Sequence, residues 1–380
     1  MNFAPSQYQR AIFNWVQNGN GHALIEAVAG SGKTTTLIKA SQLIYNKRIL
    51  FCAFNKHIQQ EISHKISHHN SDIKTVHSIG FGCISRYLKG RIQPVEQYKY
   101  SALVKRDFYY AIEGDLQAYL AQFSKNEQNI KKNKMFTELE EFIKYIRMTL
   151  TNPDNTQEIQ DLIEHFSLET EYLDIFLPYV REIIDRGEEI ARIERVIDYT
   201  DMVWLPYYWS LKPQQYEWIF VDEAQDLNKA SLDLILKSCS KNGRIIFVGD
   251  EKQAIYGFSG ADSQSIKNIQ KVTGAQRFPL SICYRCPKSH IKLSKDIVPH
   301  IEAAPDVIYG FVKKIDEDEM LSKIQTTDLV LCRLNYPLIR TALDLISRKI
   351  PASITRQNVA DAMIEILFEI EAINKNTRFC

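Results

Sequence analysis

No apolar run in this 380-residue chain reaches the ~18 residues that a membrane-crossing helix needs. Met1 to Arg10 also lack the basic, apolar and small-residue order of a secretory leader. Both absences predict a cytoplasmic protein that does not enter a membrane. Cysteine is scarce and odd in number: seven residues, scattered from Cys52 to Cys380, make a disulfide framework improbable and suit a reducing compartment. Cys283 and Cys286 stand two residues apart, but no second pair accompanies them at zinc-ligand spacing, so no metal is expected there. His68-His69 reads as a solvated loop. Neither an internal repeat nor a low-complexity tract appears. Net charge is nearly absent too, at +1, but this hides an asymmetry. Residues 1–90 hold ten Lys/Arg against only Glu26, Glu61 and Asp72, a local excess of +7 that suits a polyanionic partner.

What is present begins with hydrophobic content of 45%, enough for two or three cores and as many domains. The organising stretch is Glu26-Ala27-Val28-Ala29-Gly30-Ser31-Gly32-Lys33-Thr34-Thr35, with an apolar run from Ala23 before it and a helical pattern from Thr34 to Tyr45 after it. In such a strand–turn–helix the backbone N–H groups form an anion nest and the helix amino terminus adds partial positive charge. Lys33 would reach outer phosphates and Thr34 would ligate magnesium. The full pattern has a glycine at the position of Ala27, so this is a variant. It predicts nucleoside-triphosphate binding.

Around that stretch the chain alternates strand and helix. Ser6 and Gln9 resemble a capping box opening a helix with Ile12, Phe13 and Val16 on its inner face. Arg48–Phe54 reads as a buried strand, Lys56–Lys65 as a helix, and a short strand ends near Thr75-Val76-His77, with a helix from Ser78. From Tyr87 to Arg195 helical periodicity takes over (98–123, 136–150, 156–166, 173–184), with a lysine-rich connector at Lys125–Lys134 that reads as solvated surface, with duplex phosphates as the alternative. Strands resume at Trp218–Val221 and Arg244–Val248, separated by a helix at 227–239. Beyond Leu280 a helix near 288–298, a strand at 328–332 and a helix at 338–348 are expected. The class is α/β: a RecA-like parallel sheet carrying a phosphate loop and an all-helical insertion.

Two further blocks carry chemistry. Ile219-Phe220-Val221 deliver Asp222 and Glu223 to the carboxyl end of a buried strand, where open α/β sheets bind ligands. Asp222 would hold magnesium and Glu223 would act as general base on water, against the alternative of a solvent-exposed acidic turn. After Val248, Gln253 offers an amide to a terminal phosphate. Tyr256 and Phe258 present two rings in a glycine-flanked loop, suited to stacking on bases, although core packing is the alternative for rings in isolation.

Taken together these blocks resemble the superfamily 1 DNA helicases of the UvrD/Rep type, most of all the F-box DNA helicase subgroup, in order over residues 4–335. The resemblance implies ATP and Mg2+ as cofactors. It assigns Gln9 (with Gln7 second) to adenine, Ala29 to Thr35 to phosphate, and Tyr284 and Arg285 to adenine stacking and an arginine finger. Phe54, Asn55, Lys56, His77, Tyr256 and Phe258 would meet DNA. Lys33, Glu223, Gln253 and Arg285 would form the catalytic set, with Thr34 and Asp222 on the metal. Departures are Val76 for an aromatic, Phe258 for Trp and Ser259 for Arg; Leu331 to Asn335 fit a later strand block.

The implied division is a first RecA-like domain at 1–86 and 196–279, a helical accessory insertion at 87–195, an incomplete second RecA-like domain at 280–350, and a helical tail at 351–380. The family's later Thr-His and Thr-Arg blocks do not follow Asn335, and Thr355-Arg356 lacks their context, so a C-terminally truncated motor is expected. The function implied is a 3′-to-5′ ATP-dependent helicase or translocase on single-stranded DNA or a single-/double-strand junction, with a partner chain supplying the missing half. The alternative is an ATP- and DNA-binding module without autonomous helicase activity. A P-loop kinase or GTPase leaves Asp222-Glu223 and the Gln253 loop without a role.

Overall fold

A computed structural model describes residues 4–53, 56–66, 70–254 and 264–354 of the chain. Two compact units divide it, Met1–Gly310 and Phe311–Cys380.

The first unit is built on six strands: β1 (Ala23–Ala27), β2 (Ile49–Ala53), β3 (Ser71–Thr75), β4 (Tyr216–Val221), β5 (Cys239–Gly249) and β6 (Gln276–Leu280). They form one sheet in the order β3-β2-β4-β5-β1-β6, and every pairing is parallel. Parallel strands are joined by crossover helices, which cover both faces of the sheet and require both to be apolar. Period-two alternation sorts the side chains accordingly. Leu24, Ile219, Val221, Ile245 and Phe247 face one core, with the helices Val76–Leu88 and Lys229–Ser238 above them. Ile25, Phe51, Phe220, Ile246 and Val248 face the other, under the helices Gln7–Asn18 and Lys33–Ser41. All carboxyl ends therefore share one edge, which is where chemistry is expected.

Strand β6 was not foreseen. It contains Pro279, which cannot donate to a ladder, and it is tolerated because β6 is an edge strand paired only to β1. The helix after the phosphate loop ends at Ser41 rather than Tyr45, giving way to a turn before Asn46 adopts a left-handed φ of 56°.

The insertion is all-helical among the described residues and has its own core around Leu116, Leu139, Phe142, Ile143, Phe176 and Ile183. The expected helix over 98–123 is broken by a π turn at Val104–Phe108, between Lys99–Leu103 and Tyr109–Leu120. The expected connector Lys125–Lys134 is instead the start of the 25-residue helix Lys125–Thr149, because Ser124 and Glu127 form a reciprocal capping box. Three of its lysines hold ion pairs on the surface: Lys131 with Glu171, Lys132 with Glu113, and Lys134 with Glu169 and Glu171. A buried ion-pair group ties the insertion to the helix Tyr199–Tyr208. Lys99 Nζ lies 2.6 Å from Asp201 Oδ2, and Arg147 reaches Asp201 and Asp198 at 2.9 Å each.

After β6, the strands β7 (Ile282–Cys283) and β8 (Glu302–Ala303) pair in parallel beside the helix Lys288–Ser294. This segment lies within the first compact unit, Met1–Gly310. In the second unit the described residues form the helices Glu317–Lys323 and Asn335–Ser347. The strand expected at 328–332 does not form. Leu329 and Leu331 are about four-fifths exposed, at 78% and 81%, and no described segment offers the ladder a strand requires. The expected tail helix lies outside the described residues. No helix among them is long and apolar enough to cross a membrane.

Candidate functional site

The chain leaves β1 at Ala27 and turns through Val28–Gly32 into the helix Lys33–Ser41. Gly30 and Gly32 have φ of +70° and +79°, backbone that L side chains rarely adopt. Gly32 caps the helix without a side-chain hydrogen bond, so first-turn N–H groups stay available for an anion. Ser31 is fully buried and its hydroxyl has no partner among the described residues, whereas Ala29 and Thr35 are exposed.

Strand β4 brings the acid pair to this loop. Thr34 Oγ1 donates to Asp222 Oδ2 at 3.1 Å, and Lys33 Nζ donates to Glu223 Oε2 at 2.6 Å. Glu223 takes a left-handed φ of 51°, the strained backbone that clusters at functional sites. Burial, with the neighbouring Glu223 charge second, pushes the Asp222 carboxyl up to about 6. The same two causes push Asp226 up to about 7. A hydroxyl and a carboxylate converging in this way are hard oxygen donors of the kind Mg2+ takes, together with phosphate and water. Among the described residues no group of three or more His, Cys, Asp or Glu could hold a metal alone, so any ion here would depend on a ligand's oxygens.

A second tier lies behind the acids. Gln225, buried, donates from Nε2 to Glu223 Oε2 at 2.7 Å, and its Oε1 accepts from the Asp250 backbone N–H at 3.0 Å. Asp250 Oδ2 in turn accepts from Gln253 Nε2 at 2.7 Å. Sequence reading gave Gln225 and Asp250 no role; the only signal was an amide set among carboxylates.

Gln9 is buried, with Nε2 donating to Thr36 Oγ1 at 3.0 Å and Oε1 accepting from Ser6 N–H at 3.0 Å, while Gln7 is exposed. Tyr284 and Arg285 come directly against the loop: Tyr284 N–H donates to Gly30 O at 2.9 Å, and a Cβ on Gly30 would lie 2.8 Å from Arg285 Cβ. Both side chains are exposed. His77 follows β3, half-buried, with its ring 6.3 Å from that of Tyr199 and its pKa lowered mainly by burial. Phe54, Asn55, Tyr256 and Phe258 lie outside the described residues. Lys56 opens the helix Lys56–Lys65 at the end of β2, but its side chain also lies outside the description.

A phosphate loop after β1, an acid pair after β4 and a parallel sheet with helices on both faces define a RecA-like nucleotide-binding fold. The chain belongs to the UvrD/REP helicase N-terminal domain family, whose model matches residues 8–273. It is 28% identical over 270 residues to F-box DNA helicase 1 of Gallus gallus, covering 67% of this chain and 24% of that protein. It is 24% identical over 326 residues to a probable DNA helicase II homolog of Mycoplasma pneumoniae (77% and 42%). To the ATP-dependent DNA helicase Rep of Buchnera aphidicola it is 25% identical over 283 residues (68% and 40%). The chain thus spans less than half the length of these curated relatives.

Proposed function

We propose that this chain carries the ATP-hydrolysing site of a DNA motor of the UvrD/Rep type, acting 3′ to 5′ on single-stranded DNA or at a single-/double-strand junction. The observation that carries the reading is the convergence of Lys33, Thr34, Asp222 and Glu223 from two separate strand ends onto one spot. A structural phosphate-binding loop has no need of a carboxylate beside its lysine; hydrolysis does, because an attacking water must be aligned and relieved of a proton.

In this reading Lys33 leaves Glu223 for the outer phosphates, which frees Glu223 to take the proton of the attacking water. Thr34 and Asp222 would hold Mg2+, which when bound neutralises charge on the phosphate oxygens. Gln253 orients the water or the terminal phosphate, and Arg285 reaches the same phosphate from beside Gly30. Tyr284 stacks on the adenine and Gln9 reads its edge. Phe54, Asn55, Lys56, His77, Tyr256 and Phe258 form the DNA track. Residues 1–86 and 196–279 serve as the first motor domain, 87–195 as its accessory insertion and 280–350 as part of the second. A partner chain that supplies the other side of the cleft belongs to this reading.

A module that binds ATP and DNA without turning over is the second reading, favoured by the ion pair that occupies Glu223 with Lys33. Steady-state ATP hydrolysis with and without single-stranded DNA separates the two. The motor reading expects DNA-stimulated turnover that Lys33→Ala and Glu223→Gln abolish. Tight ATP binding without any turnover, with or without a candidate partner chain, overturns it.

A further inference from the structure

Glu223 Oε2 accepts two hydrogen bonds at once, from Lys33 Nζ at 2.6 Å and from Gln225 Nε2 at 2.7 Å. A triphosphate that draws Lys33 away leaves Gln225 as the donor holding this oxygen. The other end of the same amide accepts the Asp250 N–H at 3.0 Å, and Asp250 holds Gln253 at 2.7 Å. Lys33, Glu223, Gln225, Asp250 and Gln253 therefore form one unbroken run of hydrogen bonds from the phosphate loop to the turn Glu251–Gln253.

Packing fixes the middle of the run. Gln225 is 3% exposed, and Gly249 presses β5 against it: a Cβ on Gly249 would stand 2.7 Å from Gln225 Oε1 and 3.0 Å from Gln225 N. A buried amide bonded at both ends cannot shift one bond without straining the other, because an unmade buried hydrogen bond carries the full desolvation penalty. We propose that Gln225 is a positioning residue that transmits the state of the triphosphate site, through Glu223 and Asp250, to Gln253. In sequence Gln253 leads into the stretch that holds Tyr256 and Phe258. The inference rests on the motor reading for its catalytic consequence, but the linkage it describes is testable without turnover.

The test uses Gln225→Met, similar in length but without the hydrogen bonds to Glu223 and Asp250, or the longer one to Asp226 Oδ2 at 3.4 Å, in the full chain. DNA-stimulated kcat is expected to fall about 10- to 100-fold, the loss of one hydrogen bond to a charged group, with KM for ATP within twofold of wild type. In a double-mutant cycle with Gln253→Met, the pair should lose little more than the worse single variant, because both cut one run. Additive losses, or a Gln225→Met enzyme with wild-type stimulation by DNA, overturn the proposal. Amide hydrogen exchange at Asp250 reads the same link without chemistry. Adding Mg2+ and a non-hydrolysable ATP analogue should change its protection in wild type and not in Gln225→Met; an equal change in both overturns the proposal even if the wild-type chain proves inactive. A wild type that never hydrolyses ATP, yet shows the exchange difference, sinks the motor reading and keeps the linkage.

Discussion

Lys33 Nζ sits 2.6 Å from Glu223 Oε2, so the cation of the glycine loop and the carboxylate after β4 neutralise each other. Their side chains are only 12% and 23% exposed, which keeps solvent from weakening the pair. In the motor reading, nucleotide binding has to break it. Glu223→Gln should therefore bind ATP at least as tightly as wild type while turnover falls ~100-fold or more. Titration with a fluorescent ATP analogue beside steady-state hydrolysis checks both halves, and weaker binding with intact turnover would contradict the arrangement.

Gly30 is held by two independent constraints. Its φ of +70° disfavours any side chain, and an added Cβ would meet Arg285 Cβ at 2.8 Å and Cys283 Sγ at 2.9 Å. Gly30→Ala should lower ATP affinity at least ~10-fold, since the loop or the Cys283–Arg285 segment must move. Gly21 has nearly the same φ, +71°, with open space around it. Gly21→Ala should lose ~1 kcal/mol of stability and leave nucleotide binding unchanged, which separates backbone strain from contact in a paired binding and melting experiment.

Asp226 gives the pH dependence. Burial beside Glu223 raises its pKa from the ordinary carboxylate range to about 7, so the folded state resists its ionisation. A group raised on folding contributes stability that is complete below the unfolded pKa and lost as pH climbs through the folded one. The metal-free protein should thus lose stability between about pH 4 and 7 through this group. Asp226→Asn should flatten that stretch, its melting advantage over wild type growing across the window and levelling above it. An advantage confined to acid pH would reverse the sign.

Gly80 sits where two helices of the first unit cross. A Cβ there would lie 1.7 Å from Met202 O, so the helices Val76–Leu88 and Tyr199–Tyr208 can approach only with glycine between them. Gly80→Ala should destabilise by about 3 kcal/mol, read as a lower midpoint in chemical denaturation.

Arg147 stands between Asp198 and Asp201 with its guanidinium 3.7 Å over the Tyr100 ring. Arg147→Met strands two carboxylates, which Lys99 alone cannot neutralise, and should cost about 3–5 kcal/mol. Adding Asp198→Asn to it should recover part of that loss in the same denaturation assay.

Much of this molecule was legible in the residue order. The phosphate loop, the acid pair after an apolar strand and the helical character of 87–195 are local signals, set by period, glycine placement and capping. The helix at Thr156–Phe166 fell where its pattern put it. Other elements were hidden because long-range neighbours decide them. Strand β6 has a proline and two polar residues and exists because β1 offers its free edge. The run at 328–332 looks like a strand and is not one, for want of a partner. Lys125–Lys134 reads as a connector, and only folding shows which glutamates from other segments pair with Lys132 and Lys134.

The sequence by itself determined the class of sheet, the glycine turn between β1 and its helix and the two carboxylates after β4, since turn chemistry and hydrophobic period act over a few residues. Only the tertiary structure decided that Lys33 is paired with Glu223, that Arg285 stands over Gly30, and that Gln225 joins Glu223 to Asp250. Those groups come from different strand ends, and a hydrogen bond depends on their distance in space, which the spacing along the chain does not fix.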